Sequence, residues 1–464
     1  MIPLSATVLA DVVGGELLSD TARQITGVSI DSRTVRPGDL FVPLAGEHTD
    51  GHAFIAAAVE AGAAAYLCRA GHKPPGEAPD GAVVVDDPLD ALTGLAAWVR
   101  DEVDPTVVAI TGSNGKTTTK DMAAAAIGAE RITVANPGSF NNEIGLPLTL
   151  CLLTRDTQVL VCEIGARGPG HIADVMPMVR PDVAVVTTIA GAHIGEFGSL
   201  DAIAAAKGEL VEGLDADGIA VLNADVPAVL ALADRAPGRV MTVGRAMTAD
   251  LHPDEVTFDD TATATLRIGQ VTLTLPRPGV HQVGNALAAL AAAMAVGVPL
   301  DVAAGGLAGA GVSRWRMEVS RSDAGITVVN DAYNANPHSV AAALDTLATM
   351  RADGRRWAVL GYMAELGDHA GRGHQTVGSH AAAVGVDVLL VVEARAGGIA
   401  DGARQAGFAG LVLTAADVGE AGDILARRVR TGDVVLVKAS RSVGLEQLAE
   451  VLMTATGDAE GAGQ

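Results

Sequence analysis

The segment at residues 110–119 (ITGSNGKTTT) holds the residue types that bind a nucleoside triphosphate. Gly112 and Gly115 have no side chains, so the backbone N–H groups beside them can approach phosphate oxygens closely. Lys116 supplies a full positive charge, and Thr117 supplies a hydroxyl that can bind Mg²⁺. The segment therefore predicts a phosphate-binding loop formed by Gly112, Ser113, Asn114, Gly115, Lys116, Thr117 and Thr118.

The elements around this loop must place it at the edge of a sheet. Residues 105–109 before the loop predict a buried parallel strand, and residues 120–129 after it predict a helix. The start of that helix adds partial positive charge through its dipole. Ile110 occupies the position of the first glycine in the usual loop, so the loop is a variant of the common pattern.

Two further residues follow predicted strands. Glu163 ends a strand at 159–163, and His193 comes just after a strand predicted at 183–189. In a parallel sheet both side chains project from the carboxyl edge, where the phosphate loop also lies. Glu163 can hold the metal that accompanies the nucleotide, whereas imidazole is an unusual Mg²⁺ ligand and suggests a second metal. The alternatives are a solvated carboxylate for Glu163 and a structural role for His193.

The pattern along the 464 residues predicts three α/β domains. Short strands surround one helix at 53–61 in a small first domain. The central domain alternates strands and helices in a mostly parallel sheet, and then has an antiparallel hairpin at 262–275 and an alanine-rich helix at 285–295. A second alternation predicts a doubly wound, Rossmann-like third domain. The predicted bounds are 1–86, 87–312 and 313–464.

Composition restricts the partners. The chain has 32 basic and 55 acidic residues, a formal charge of −23, which opposes binding to nucleic acid or anionic membranes. No apolar run approaches the length of a membrane span, and the N-terminus lacks a basic region before its apolar residues. The three cysteines are odd in number and are not spaced for a metal, so buried thiols and a cytoplasmic location are expected.

Four segments together resemble the Mur ligase family, ATP-dependent amide-forming enzymes of peptidoglycan assembly. They are the loop at 111–117, the strand end at Glu163, the loop with His193, and residues 206–209 (AKGE). By itself Lys207 looks like an ordinary helix lysine on a solvated face. The resemblance implies instead that Lys207 carries a carbamate, which turns a cation into a metal-bridging anion and places a second Mg²⁺.

Three motifs resemble the family member that adds D-alanyl-D-alanine to UDP-N-acetylmuramoyl-tripeptide. They are residues 330–337 (NDAYNANP), 437–442 (VKASRS) and 139–147 (SFNNEIGLP). The first domain agrees, since residues 31–33 (DSR), 37–41 (PGDLF) and 50–52 (DGH) resemble the family's uridine-nucleotide-binding domain. The resemblance thus covers all three domains and implies an acyl-phosphate intermediate, with ATP and two Mg²⁺ ions as cofactors and a monomeric enzyme.

The resemblance also implies roles for individual residues. The expected catalytic residues are Lys116, Glu163, His193 and Lys207, and the expected metal ligands are Thr117, Glu163, His193 and Lys207. Outside the phosphate loop, the expected nucleotide-binding residues are Asn285, Arg316, Asp331 and Asn334. The expected substrate-binding residues are Ser32 and Arg33 at the UDP end, Asn141 and Asn142, and Asn336, Ser440 and Arg441 on the dipeptide side.

Two positions depart from the family pattern. Gln282 stands where the family usually has asparagine, three residues before Asn285, and Tyr362 stands in place of an aspartate in residues 360–367. The first change puts one contact to the adenine in doubt, and any role of the missing aspartate is not carried over.

Three other functions remain open from sequence alone. A folate polyglutamylating ligase would share the phosphate loop and the lysine but would not need the DSR-containing first domain. The ligase that adds the third residue of the muramoyl peptide would use a free amino acid as its amine donor. A phosphate-loop switch would bind nucleotide without ligation.

Overall fold

The α/β class is confirmed by three mostly parallel sheets with helices packed on them, beside one small antiparallel sheet. The computed structural model describes residues 1–46, 49–72, 80–191, 197–311 and 313–454. The sheets fall in succession within the three predicted domain ranges, while the boundaries themselves stay predictions. Within the described ranges, no helix has both the length and the apolar character needed to cross a membrane.

The first sheet has five strands in the order β1-β5-β4-β3-β2, and only β1 is antiparallel to its neighbour. The strands are β1 (Glu16–Leu17), β2 (Gly27–Ser29), β3 (Asp39–Phe41), β4 (Ala65–Arg69) and β5 (Ala82–Val85). The helix expected at 53–61 is a 3₁₀ turn, Gly51–Phe54, followed by the α-helix Ile55–Glu60. Sequence reasoning missed a second helix, Ala6–Val13, whose first turn is capped by the Ser5 hydroxyl.

The helix Pro88–Val103 joins the first sheet to the central one. It packs against Ala6–Val13 on one side and against Gly145–Leu150 and His171–Val179 on the other. Its buried Leu92, Leu95 and Val99 belong to a core that is continuous across both sheets.

The central sheet carries the phosphate loop and has six strands, all parallel, in the order β11-β10-β9-β6-β8-β7. The strands are β6 (Thr106–Thr111), β7 (Thr133–Ala135), β8 (Val159–Glu163), β9 (Val183–Val186), β10 (Ile219–Asn223) and β11 (Arg239–Val243). Its further helices are Lys116–Gly128, Leu200–Glu212 and Pro227–Leu230. Since β6 lies between β8 and β9, the loop after β6 is flanked by the ends of both neighbours.

A three-stranded antiparallel sheet follows, with β12 (Glu255–Phe258), β13 (Thr263–Ile268) and β14 (Val271–Pro278). The predicted hairpin is β13 and β14, and the prediction missed β12. Next come the helices His281–Ala295 and Leu300–Ala308, which pack on the phosphate-loop helix Lys116–Gly128 and form the second central core. The first of these begins four residues earlier than predicted.

The third domain has a six-stranded sheet in the order β15-β16-β20-β17-β18-β19, parallel except for the edge strand β15. The strands are β15 (Glu318–Arg321), β16 (Thr327–Asn330), β17 (Arg356–Leu360), β18 (Val388–Val392), β19 (Leu411–Ala415) and β20 (Val434–Lys438). Its helices are Pro337–Thr349, Ala370–Val384, Gly397–Gln405, Val418–Arg428 and Glu446–Thr454. Sheet faces covered by helices give two cores, as a doubly wound fold requires.

Candidate functional site

A cavity of about 1030 Å³ lies where the carboxyl edge of the central sheet meets the third domain. Most of the predicted site residues line it: Ser113, Asn114, Gly115, Lys116, Thr117, Thr118, Asn141, Asn142, Glu163, Lys207, Asn285, Arg316, Asp331, Asn334, Asn336, Ser440 and Arg441. Gly112, Ser32 and Arg33 are not among the lining residues, and His193 lies outside the described residues.

The phosphate loop needs its glycines for two reasons. Gly112 and Gly115 have φ of 148° and 81°, conformations that L side chains rarely adopt. In addition, a Cβ at Gly112 would overlap the Thr187 hydroxyl, and a Cβ at Gly115 would overlap the side-chain oxygen of Asn285. Neighbouring elements therefore close on the loop at both glycines, and the helix Lys116–Gly128 starts directly after the second.

Two threonines that follow β9 hold the middle of the loop. The Thr188 hydroxyl accepts a hydrogen bond from the Asn114 backbone N–H (2.9 Å) and donates to the Asn114 carbonyl (3.1 Å). The Thr187 hydroxyl donates to the same carbonyl (2.6 Å), and Asn223 donates to the Thr187 carbonyl (3.0 Å). These residues fix the loop backbone, and sequence reasoning did not single them out.

Lys116 bends back over the loop that precedes it. Its Nζ donates to the Gly112 carbonyl at 2.9 Å. Burial lowers the pKa of Lys116, an effect partly opposed by the charge of Glu163. A cation so poorly solvated gains a great deal from an anionic partner such as a phosphate.

Glu163 lies beside the phosphate loop, as the parallel-sheet argument predicts. The Thr117 hydroxyl donates to Glu163 Oε2 (2.6 Å), and the Asn141 side-chain amide donates to Oε1 (2.6 Å). The carboxylate is only 1% exposed. Ser139, which sequence reasoning missed, has its hydroxyl 3.2 Å from that of Thr117. A buried carboxylate and two hydroxyls form a cluster of oxygen ligands of the kind that Mg²⁺ prefers.

Asn141 and Asn142 differ in what they do. Asn141 is bonded to Glu163, whereas the Asn142 side chain accepts from the Gly145 backbone N–H (2.9 Å) at the start of the helix Gly145–Leu150. One asparagine therefore orients the carboxylate and the other holds a helix start.

Lys207 is a buried lysine on the wall of the same cavity. It lies in the helix Leu200–Glu212, is 2% exposed, and has its Nζ 5.8 Å from the centre of the Phe197 ring. Burial, together with the nearby charge of Lys116, lowers its pKa to about 7. Among the described residues, no carboxylate forms an ion pair with it. A substantial fraction of this amine is therefore neutral near pH 7.

Arg316 crosses from the third domain to the phosphate loop. One guanidinium nitrogen donates to the hydroxyls of Thr117 (2.9 Å) and Ser139 (3.2 Å), and the guanidinium lies 4.0 Å from the centre of the Tyr333 ring. This arginine ties the third domain to the oxygen cluster around Glu163.

The backbone on either side of Arg316 is unusual. Trp315 and Met317 both have positive φ, 59° and 49°, which is rare for such side chains. Each is held by residues of the NDAYNANP motif: the Tyr333 N–H donates to the Trp315 carbonyl (3.2 Å), and the Met317 N–H donates to Asp331 (3.0 Å). The motif therefore fixes the turn that presents Arg316.

Asp331 and Asn334 are bonded within the third domain. Lys438, buried at 3% exposure, donates to the Asp331 carboxylate (2.6 Å) and to the Asn334 carbonyl (2.8 Å). The Asn334 side chain donates to Glu365 (3.4 Å). Lys438 lies within the VKASRS motif and Glu365 within the motif at 360–367, but neither was predicted as a site residue.

Asn285 faces the loop from the helix His281–Ala295. Its amide donates to Gln282 (2.8 Å), and Gln282 Nε2 lies 3.1 Å from His281 Nε2. Gln282, although it departs from the family pattern, thus still accepts a hydrogen bond from Asn285. Burial lowers the pKa of His281 to about 4, so this ring is neutral at pH 7 and can accept from Gln282.

Ser440 and Arg441 line the third-domain part of the cavity, whereas Ser32 and Arg33 lie outside its lining. Ser440 accepts from the Ala364 N–H (2.9 Å), and Arg441 lies 3.9 Å from the centre of the Trp315 ring and pairs with Glu446 (2.6 Å). In the first domain, Arg33 pairs with Asp31 at 2.6 Å on the surface, which lowers the pKa of that carboxyl to about 2.

This geometry defines a phosphate-loop enzyme whose site is completed by the third domain. Models of protein families match the chain in three segments. Residues 24–99 match the Mur ligase family catalytic domain, residues 110–293 the Mur ligase middle domain, and residues 315–441 the glutamate ligase domain of Mur ligases. The chain belongs to the Mur ligase family.

Individual relatives indicate which branch of the Mur ligase family the chain belongs to. The chain is 40% identical to the UDP-N-acetylmuramoyl-tripeptide--D-alanyl-D-alanine ligase of Mycobacterium tuberculosis, over 98% of both chains. Among solved structures it is similar to MurF of Acinetobacter baumannii, with a TM-score of 0.87 and 29% identity over 97% of this chain and 99% of that one. MurF of Thermotoga maritima in complex with ADP gives a TM-score of 0.80 and 29% identity over 93% and 98%. Within the family, the chain therefore lies in the MurF branch.

Proposed function

We propose that this chain is an ATP-dependent ligase that joins D-alanyl-D-alanine to UDP-N-acetylmuramoyl-tripeptide, the last amino-acid addition that builds the UDP-muramoyl-pentapeptide of peptidoglycan synthesis. The observation that carries the proposal is one cavity in which a phosphate loop, a buried carboxylate and a buried lysine meet an arginine from the third domain. Relatives of the same full length carry this activity in their names.

The phosphate loop binds ATP in this proposal. Lys116 and the backbone N–H groups at 112–118 hold the β- and γ-phosphates, and Arg316 approaches the same phosphates from the third domain. Asn285 meets the adenine edge, and Asp331 and Asn334 hold the third-domain wall of the nucleotide site.

Two divalent cations complete the proposed site. The hydroxyl of Thr117 and the carboxylate of Glu163 are the hard oxygen ligands of one Mg²⁺ site. Lys207 becomes an oxygen ligand only as a carbamate, and its partly neutral amine can react with CO₂. His193 and carbamylated Lys207, with Glu163, are the proposed ligands of the second ion. When bound, these cations neutralise phosphate and carboxylate charges that would otherwise repel one another.

The chemistry then proceeds in two displacements. The tripeptide carboxylate attacks the γ-phosphorus of ATP, which gives an acyl phosphate and releases ADP. The amine of the dipeptide attacks the acyl carbon, and phosphate leaves. Lys116 and Arg316 stabilise the phosphoryl oxygens, while the docked third domain keeps water from the acyl phosphate.

Three parts of the two substrates need their own binding residues: the UDP end of the muramoyl substrate, its peptide end, and the dipeptide. Ser32 and Arg33 are proposed for the UDP end, and Asn142 for the peptide near the reacting carboxylate. Ser440 and Arg441 are proposed for the dipeptide, because they line the third-domain side of the cavity. We place the reaction in the cytoplasm, where the buried thiols Cys68, Cys151 and Cys162 stay reduced, and propose a monomer.

A coupled assay of ADP release tests the function. Repeated turnover to ADP with UDP-N-acetylmuramoyl-tripeptide should require D-alanyl-D-alanine, because without the dipeptide the bound acyl phosphate limits each enzyme to one turnover. Arms with the diaminopimelate- and lysine-containing tripeptides identify the preferred third residue. ADP release driven by folate and glutamate, or by UDP-muramoyl-dipeptide with a free amino acid, would replace the proposal with another ligase activity. Light scattering tests the monomer.

A further inference from the structure

Asn336 occupies a junction between the third domain and the phosphate loop. It is the N-cap of the helix Pro337–Thr349, where its side-chain oxygen accepts from the Ser339 N–H (2.9 Å). Ser339 completes a capping box by accepting from the Asn336 N–H (3.0 Å). This end of the helix is therefore rigid, and the position of the Asn336 side chain is fixed.

The other end of the same side chain reaches into the central domain. Asn336 Nδ2 donates to Asn114 Oδ1 at 2.7 Å, across 222 positions of sequence. Asn336 is only 7% exposed, so the bond is formed away from solvent. The contact can exist only while the third domain is docked on the central one.

The bond from Asn336 fixes the orientation of the Asn114 side-chain amide. Its backbone is clamped by Thr188 and Thr187, and its Oδ1 is taken by Asn336. Its Nδ2 is buried and has no hydrogen-bond partner among the residues that the structure describes. A buried donor without a partner carries a free-energy cost, which a ligand acceptor would remove.

We propose that Asn336 is a positioning residue for the nucleotide: it holds Oδ1 of Asn114 so that Nδ2 of Asn114 donates to a phosphate oxygen of ATP. The inference rests on the proposed function only in taking ATP as the ligand of the loop. It moves Asn336 from the dipeptide side of the cavity, where the family resemblance placed it, to the nucleotide side. It also makes docking of the third domain a condition for a complete phosphate site.

Asn336→Ser tests the proposal with the helix cap preserved. Serine is as good an N-cap as asparagine, but its hydroxyl is too short to reach Asn114. Titration with a non-hydrolysable ATP analogue and Mg²⁺ should show an affinity about tenfold lower than wild type, the scale of one hydrogen bond to a charged group. Ser339→Ala is the matched control: it removes the hydroxyl half of the capping box but keeps the backbone N–H that holds Asn336 Oδ1, so it should bind the analogue like wild type.

A second variant and a double-mutant cycle complete the test. Asn336→Asp keeps both cap and length but cannot donate to Oδ1, so it should also lose affinity. Asn114→Ala should lose at least as much, and adding Asn336→Ser to it should change the affinity less than about twofold. Wild-type affinity in Asn336→Ser, or a full additional loss in the double variant, would overturn the proposal.

The titration contains neither muramoyl peptide nor dipeptide. Failure of ligation in the coupled assay would therefore refute the proposed activity and leave this result standing. Thermal melting of each variant separates an effect on the loop from a loss of folded protein.

Discussion

The two ends of the proposed metal region are built on opposite principles. At one end, Glu163 has both carboxylate oxygens hydrogen-bonded by the chain itself, to Thr117 and Asn141. At the other end, Lys207 is equally buried but has no ion-pair partner among the described residues. The chain thus supplies a finished oxygen site at Glu163, whereas the Lys207 end requires an added group before it can hold a cation. A buried lysine is costly as a cation, and that cost favours the neutral amine that the proposed carbamylation requires.

Replacing Lys207 should have the largest effect on the rate of ligation. Lys207→Arg keeps a positive charge that cannot be lost and removes the amine that reacts with CO₂, so kcat for ligation should fall on the order of 10³-fold. The coupled ADP-release assay measures this. Lys207→Ala should be equally inactive and partly rescued by short carboxylic acids that replace the carbamate. A fully active Lys207→Arg enzyme would rule out the carbamate.

Glu163→Gln should have the next largest effect. Glutamine preserves the shape of the side chain but removes the negative charge, so activity should fall on the order of 10- to 100-fold and the Mg²⁺ concentration for half-maximal rate should rise. The rate of ADP release across a Mg²⁺ titration measures both. Cys162→Ala, one residue earlier on the same buried strand, is the control and should leave the Mg²⁺ requirement unchanged. An unchanged requirement in Glu163→Gln would contradict the oxygen site.

His281 adds a third case to the comparison of Glu163 and Lys207. It is a buried base whose neutral form stabilises the fold. Its pKa of about 4 in the folded chain lies below the ordinary 6.5, so the unfolded chain takes up this proton first as the pH falls. The contribution to stability is therefore fully present above pH 6.5 and is lost as the pH falls toward 4, about 3 kcal/mol in all. The titratable groups whose charges act on the ring are Asp331, Asp345, His338 and Lys438.

Urea unfolding at pH 7 and pH 5 measures this effect. His281→Asn should lose less stability than wild type between the two pH values, although it is less stable at pH 7. Equal pH dependence in both proteins would show that His281 does not set it.

The strands whose ends flank the phosphate loop could be predicted from the sequence, because buried parallel strands are short runs of Val, Ile, Leu and Ala between turns. The elements that were missed are less regular. Strand β12 is half exposed, β15 is an antiparallel edge strand of four residues, and the helix Ala6–Val13 precedes any strong pattern. Local pattern is weak where tertiary contacts decide the conformation.

The site shows the same division. The loop and Glu163 could be placed because strand order in a parallel sheet dictates where strand ends meet. Ser139, Thr187, Thr188 and Glu365 are common polar residues, and only the folded chain brings them to the loop. Lys207 required the family resemblance, since a helix lysine gives no sign in the sequence that it will be buried.

The turn around Arg316 has a consequence for how the enzyme can evolve. Left-handed backbone at Trp315 and Met317 costs on the order of 1–2 kcal/mol per residue, and glycine at either position would relieve that cost. Glycine would also give the turn many conformations and spread the guanidinium over a wider volume. Glycine would also remove packing, because Met317 is buried in the third-domain core and the Trp315 ring lies against Arg441. The strained turn can therefore be relieved only by giving up both core packing and a fixed position for the guanidinium.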